Sequence, residues 1–314
     1  MAEIVNKATR DSFGEAVTAL GETNSDIVVL DADLAEATKT IIFKNKFPDR
    51  FIDCGIAESN LIGISAGLAA SGKIPFAASF AMFSAGRAFE QVRNSVAYPH
   101  LNVKIVGSHA GISVGEDGAT HQCCEDIGLM RTIPGMVILN PADHYEMQAA
   151  VKAAAEYVGP VYIRLGRLPI ESINNSDDYK FEIGKGITLK DGKDITIVAT
   201  GLMVPEAVKA AEALEAAGIN ARVINIHTIK PLDEELILKA AEETGRIVTV
   251  EEHNVMGGLG EAVASLLSEK LPTPVTKIGV NDVFGYSGPA KELLKVFGLS
   301  AENIEATVKK VLNK

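Results

Sequence analysis

The chain has 314 residues, 47 % of them hydrophobic and 23 % charged, enough for two ordinary domains with sizeable cores. Its formal net charge of −11 argues against a general nucleic-acid surface or one for acidic membranes, while leaving room for a local cationic pocket. Three cysteines without a CxxC pair, Cys54, Cys123 and Cys124, fit a reducing, cytoplasmic setting.

The first residues, MAEIVNKATRDSFGEAV, lack the basic-then-apolar layout of a signal peptide. Residues 26–34, DIVVLDADL, read as a strand with a polar end, and so do 102–108, 135–140 and 160–165. Helical patterns occupy 10–21, 57–71, 82–97 and 143–157 between them. The apolar stretch 61–72, LIGISAGLAASG, is too short for the roughly 20 residues of a membrane span and reads as a buried helix. Strand and helix alternating in this way predict a parallel sheet covered on both faces, with ligands at the C-terminal strand ends. Residues 167–186 are polar and without period, the composition of a linker. Beyond them the rhythm resumes, with strands expected at 195–200, 221–226, 246–251 and 275–279 and helices at 203–217, 233–243, 258–269 and 301–313. The expected fold is two three-layer α/β domains with mostly parallel sheets, at 1–175 and 191–314, joined by a linker at 176–190.

Several stretches invite a chemical reading. GGLGEAV at 257–263 is half of a dinucleotide fingerprint without its third glycine, so glycines at a close helix start are the plainer account. His109, His121, Cys123 and Cys124 have no familiar zinc spacing, and the two cysteines read as small residues at a helix start. Glu58 lies between a strand ending at Asp53 and an apolar helix, either as a helix-start carboxylate or as a proton handler. Phe80 and Phe83, three apart, are either core residues or a wall on which a flat heterocycle stacks. Arg10 taken alone is a surface cation.

Taken in order, DADL (31–34), DCGIAESN (53–60), SFAMF (79–83), SHAGISVGEDGATHQ (108–122) and IRLGRLP (163–169) resemble the C-terminal half of transketolase. The resemblance implies a pyrimidine-binding domain for thiamine diphosphate followed by the family's C-terminal domain. In that family the diphosphate and its metal are held by another domain, through Gly-Asp-Gly and a later Asn-Asn. Here GEDG at 115–118 is not that motif, and the one Asn-Asn, at 174–175, lies in the linker. The resemblance therefore implies one subunit of a split transketolase. An N-terminal partner would hold the diphosphate with Mg2+ or Ca2+, in an α2β2 assembly acting on sugar phosphates.

It also implies roles for individual residues. Glu58 would hydrogen-bond the aminopyrimidine ring nitrogen and promote the imino form that activates the thiazolium carbon. Phe80 and Phe83 would stack on the pyrimidine, with Phe83 the preferred face and Asp33 and Leu34 nearby. A tyrosine common in the family is replaced by Gly86, which leaves the wall more open. Asp117 would take a sugar hydroxyl, His121 would polarise or protonate the reacting oxygen, and His109 would lie further out, towards the acceptor. The glycines of this loop would leave room for the sugar. Arg10 and Arg164 would bind the sugar's phosphate, while a serine of that site is replaced near Ala37 and Thr38. Rival readings are a deoxyxylulose-phosphate synthase-like enzyme, a 2-oxo acid dehydrogenase β subunit, and a non-catalytic assembly subunit.

Overall fold

The computed structural model describes residues 4–173 and 179–313; the Asn-Asn at 174–175 lies outside the described residues. Two sheets carry the architecture. The first has seven strands in the order β12-β6-β7-β5-β4-β2-β3. These are β2 (Ile27–Asp31), β3 (Phe51–Asp53), β4 (Ile74–Phe80), β5 (Lys104–Ser108), β6 (Val137–Leu139), β7 (Val161–Arg164) and β12 (Thr228–Lys230). The second has five, ordered β14-β13-β10-β11-β9, from β9 (Ile187–Lys190), β10 (Ile195–Ala199), β11 (Ala221–Asn225), β13 (Ile247–Asn254) and β14 (Val275–Val280). A small antiparallel pair joins β1 (Asn6–Ala8) to β8 (Pro169–Glu171).

Every residue of β2, β5, β7 and β10 is buried. Helices cover both faces, so these strands are continuous apolar runs rather than alternating ones. The central pairings β2–β4, β4–β5, β5–β7 and β6–β7 are all parallel. Their C-terminal ends therefore lie along one edge of the sheet, where open α/β sheets present ligands.

Four expectations need correction. Residues 74–80, given no element in the expected order, form the buried strand β4, which Phe80 ends. The helix expected at 82–97 is a π-turn at Met82–Arg87, one α-turn at Phe89–Gln91 and a second π-turn at Val92–Ala97. The helix Glu58–Ala70 is buried on one side only, through Leu61, Ile62, Ser65 and Ala66, while Gly63 and Gly67 lie on an exposed side. The linker expected at 176–190 ends in a strand, β9, the polar run just before it holds β8, and β12 from beyond it completes the first sheet by pairing antiparallel with β6.

The two sheets also share one core. Ile127, Met130 and Ile138 from the first half belong to the same buried apolar cluster as Ile224, Ile226 and Leu259 from the second. Glu146 fastens the halves with polar contacts. It lies in the helix His144–Glu156 and accepts hydrogen bonds from Ala142 N, Tyr179 Oη and Asn225 Nδ2. Burial pushes its carboxyl up to about 7, against the opposing effect of the Tyr179 bond. A carboxyl raised on folding favours the native state below its unfolded value, and that contribution fades as pH rises through about 7. His109 and His227, lowered by burial to about 3 and about 4, act in the opposite sense at lower pH. The Tm advantage of the natural chain over Glu146→Gln should thus be largest below pH ~5, shrink as pH rises towards ~7 and level off above it; thermal melts across that range read it directly.

Candidate active site at the edge of the first sheet

The aromatic residues come together where β4 and β5 end. Phe80, 7 % exposed, stacks with His109 at 4.0 Å between ring centroids and with Phe83 at 5.9 Å, the phenyl planes within 8°. His121 meets Phe83 edge-on at 5.3 Å. Phe80 is thus the inner ring, and the half-buried Phe83 is the one with a face to offer.

Glu58 opens its helix and is 2 % exposed. Its Oε2 accepts a 2.9 Å hydrogen bond from Arg87 Nη1. The Arg87 guanidinium lies 4.7 Å over the Phe83 ring. The wall expected to stand open at Gly86 is therefore covered by the next residue. One flat polar group thus bonds the Glu58 carboxyl and sits over the Phe83 ring at the same time.

His109 sits deeper than expected, 3 % exposed, with φ 55 in the left-handed region. Its Nε2 is 3.0 Å from Arg10 Nη1 and its Nδ1 is 2.9 Å from Ser108 Oγ. A guanidinium only donates, so Nε2 accepts and the proton is assigned to Nδ1. Burial first, and then the charge of Arg10, lowers its pKa to about 3. His109 is consequently neutral at physiological pH and orients Arg10 rather than donating a proton.

Arg10 also donates to Ala37 O at 3.1 Å, and its buried Nε has no hydrogen-bond partner. Arg167 and Lys39 lie within electrostatic reach of His109 as well. Asp11 lies 3.9 Å from Arg10 and 3.7 Å from Lys39, and Glu116 lies 3.2 Å from Arg167, so this cationic corner is only partly offset. Thr38 is spent inside, its hydroxyl donating to Asp31 at 2.7 Å. Asp33, with φ 62, is fixed by its N–H to Asp53 Oδ1, and Leu34 by its N–H to Asp31 Oδ1.

Arg164 does not join them. It is 4 % exposed, and its Nε and Nη2 grip Asp126 at 2.8 and 3.2 Å, with Nη2 also donating to Glu252 O at 2.9 Å. Burial, the largest single influence, raises the Asp126 carboxyl, but the charge and hydrogen bonds of Arg164 together with His253 and the Tyr162 hydroxyl hold the group below its usual range. A guanidinium held this way inside the protein is not available to a sugar phosphate. Arg167, past the end of β7 and partly exposed, is the arginine of IRLGRLP that faces the site.

The loop 111–126 is held from behind by the second half of the chain. Glu252 Oε1 accepts from Ser113 N at 2.6 Å, and Gln122 Nε2 donates to Ile112 O, Gly115 O and Tyr286 O. The glycines here do not make room for a ligand. Gly111, φ 84, has Glu252 where a Cβ would stand, and Gly118, φ 74, has Ser287 there. Asp117 is exposed at the loop's tip, outside the aromatic group, while His121 reaches in. Cys123 and Cys124 are buried just before the helix Asp126–Arg131, with thiols pushed up by burial. Among the described residues no three His, Cys, Asp or Glu are grouped to hold a metal ion.

Two other features fall outside the chemistry. The glycines at 257–258 leave a helix start that Glu251 fills, accepting from Leu259 N and Gly260 N at 2.7 and 2.8 Å, so no anion is needed there. A cavity of about 620 Å3, bounded by Ile170, Ile173, Met203, Lys209, Leu299 and Glu302, lies elsewhere. No helix among the described residues is long and apolar enough to cross a membrane.

A parallel sheet edge carrying a buried carboxylate, an aromatic face and a histidine-bearing loop defines an α/β pyrimidine-binding domain. Residues 6–171 match the transketolase pyrimidine-binding domain and residues 184–304 the transketolase C-terminal domain, and the chain belongs to the transketolase family. It is similar to a solved split-gene transketolase described as an inactive β4 tetramer, with 53 % identity, TM-score 0.91, and coverage of 98 % of this chain and 99 % of that one. It is 46 % identical to a 6-deoxy-6-sulfo-D-fructose transketolase subunit from a Clostridium species, over 94 % of this chain and 91 % of that protein. Against transketolase of Homo sapiens the identity is 40 %, over 98 % of this chain but 49 % of the human protein.

Proposed function

We propose that the chain is the C-terminal subunit of a two-chain transketolase, moving a two-carbon ketol unit between ketose and aldose phosphates. The observation that carries this reading is the half-built site. Glu58 and Phe83 offer a seat for one flat ring at an open sheet edge, with sugar-handling side chains beside it. Thiamine diphosphate supplies the carbon nucleophile when bound, with Glu58 holding the proton at the pyrimidine ring nitrogen and Phe83 backing the ring. His121 lies at the ring edge, where it can exchange a proton with a substrate oxygen. Arg10, kept in place by neutral His109, and Arg167 hold the sugar's phosphate, with Asp117 reaching a hydroxyl from the loop tip.

The diphosphate and its Mg2+ or Ca2+ fall to an N-terminal partner, in an α2β2 assembly. Two points support this. The helix Glu58–Ala70 is apolar along its length yet exposes one side, as expected of a surface covered on assembly. A solved split-gene relative described as a β4 tetramer is also described as inactive. The test is reconstitution: xylulose 5-phosphate and an aldose phosphate should react only when both chains, thiamine diphosphate and a divalent metal are mixed. Full activity of this chain alone would sink the two-chain reading, and turnover of pyruvate in place of xylulose 5-phosphate would favour the synthase or dehydrogenase readings.

A further inference from the structure

We propose that Arg87 is a built-in placeholder for the cofactor's aminopyrimidine, occupying its seat until the cofactor displaces it. The inference rests on the assignment of Glu58 and Phe83 to that ring and goes beyond it by assigning a residue that neither the motifs nor the aromatic pattern singles out.

Two independent contacts define the placement. Arg87 Nη1 donates to Glu58 Oε2 at 2.9 Å, and the guanidinium carbon lies 4.7 Å from the centroid of Phe83. One end of the group is thus bonded to the buried acid while its central carbon sits over the aromatic face. An aminopyrimidine would use the same two surfaces, a ring nitrogen against the carboxyl and a flat π-face against the phenyl. Both cannot be there together.

The chemistry of the free chain explains why a guanidinium suits this place. Glu58 is 2 % exposed, and a buried carboxylate without a partner is costly. Arginine supplies a planar cation that is weakly hydrated and stacks on aromatic rings, which lysine does not match. Arg87 closes the π-turn Met82–Arg87 that begins just after β4, so the element that presents Phe83 also presents its cover. Its side chain is 53 % exposed, against 3 % for Glu58, so it can swing into solvent without unpacking the core.

The Arg87 side of the ion pair is half in solvent and its cation–π contact is solvated, and a ring bound at Glu58 would replace the hydrogen bond that Arg87 gives up, so the latch is easy to release. The experiment is calorimetric titration of thiamine diphosphate into the complex assembled with its diphosphate-binding partner. Natural chain, Arg87→Gln and Glu58→Gln are compared, each first checked for folding by its Tm. Arg87→Gln is expected to bind about fivefold to tenfold more tightly, because the competitor is gone. Glu58→Gln is expected to bind more weakly, which keeps the seat assignment intact. Unchanged or weaker binding by Arg87→Gln, with Glu58→Gln weakened, would overturn the placeholder alone and make Arg87 part of the bound site. Binding by Glu58→Gln equal to that of the natural chain would remove the seat assignment, and the placeholder with it.

Discussion

Glu58→Gln should assemble with the partner chain and lose nearly all turnover, by a factor of about 10^2–10^4, the range spanned by a single well-placed proton-transfer group. Glutamine keeps the length and one acceptor oxygen but cannot exchange a proton with a ring nitrogen. The side chain is almost fully buried at the start of its helix, so the variant keeps the packing of Leu61 and Ile62 behind it. Assembly measured by light scattering, beside the initial rate with xylulose 5-phosphate, separates the two effects. A Glu58→Gln complex turning over at a near-natural rate would remove Glu58 from the chemistry and revive the non-catalytic assembly reading.

The second large effect falls on folding. Arg164→Met leaves Asp126 inside the protein with the Tyr162 hydroxyl, 2.8 Å away, in place of a fork of charged donors. Breaking one side of a buried ion pair costs about 3–5 kcal/mol, because the remaining charge has no compensation. For a chain of this size that corresponds to a fall in Tm on the order of 10 °C. The same guanidinium also bonds Glu252 O, so loss of rigidity should spread to the loop that Glu252 fixes at Ser113. Below its melting point Arg164→Met should keep the natural chain's ratio of KM values for a phosphorylated sugar and its unphosphorylated form. A raised ratio with an unchanged Tm would restore Arg164 to the phosphate site.

Much of the fold was legible because buried parallel strands write themselves as apolar runs, as IVVLD and ITIVA do. Strand β4 escaped because IPFAASF dilutes its apolar residues with proline, alanine and serine, although nearly every position is buried. Strand β12 is only three residues long and takes its identity from pairing with β6, a contact no local pattern encodes. Among the site residues, Glu58, Phe80, Phe83 and His121 were visible through motif order, and the structure gathers them. Choosing between the two arginines of IRLGRLP needed the strand's end point. Arg164 closes a strand buried on both faces, whereas Arg167 lies beyond it, where ligands are met. Arg87 was passed over because an arginine in a helical stretch looks like a solvated charge, and only the fold puts Glu58 and Phe83 on either side of it.

The crossing of β12 into the first sheet bears on how such a chain can be divided. A cut in the polar stretch around 176–190 would strip β6 of its neighbour, because that neighbour arrives some forty residues later. The orphaned edge would be a row of unsatisfied amides and carbonyls beside an apolar surface that Ile224 and Leu259 had sealed. The chain spans 49 % of the human protein it resembles, and within it the place where composition suggests a division is one the shared core does not allow. The two sheets are neighbours in sequence and co-tenants of one wall.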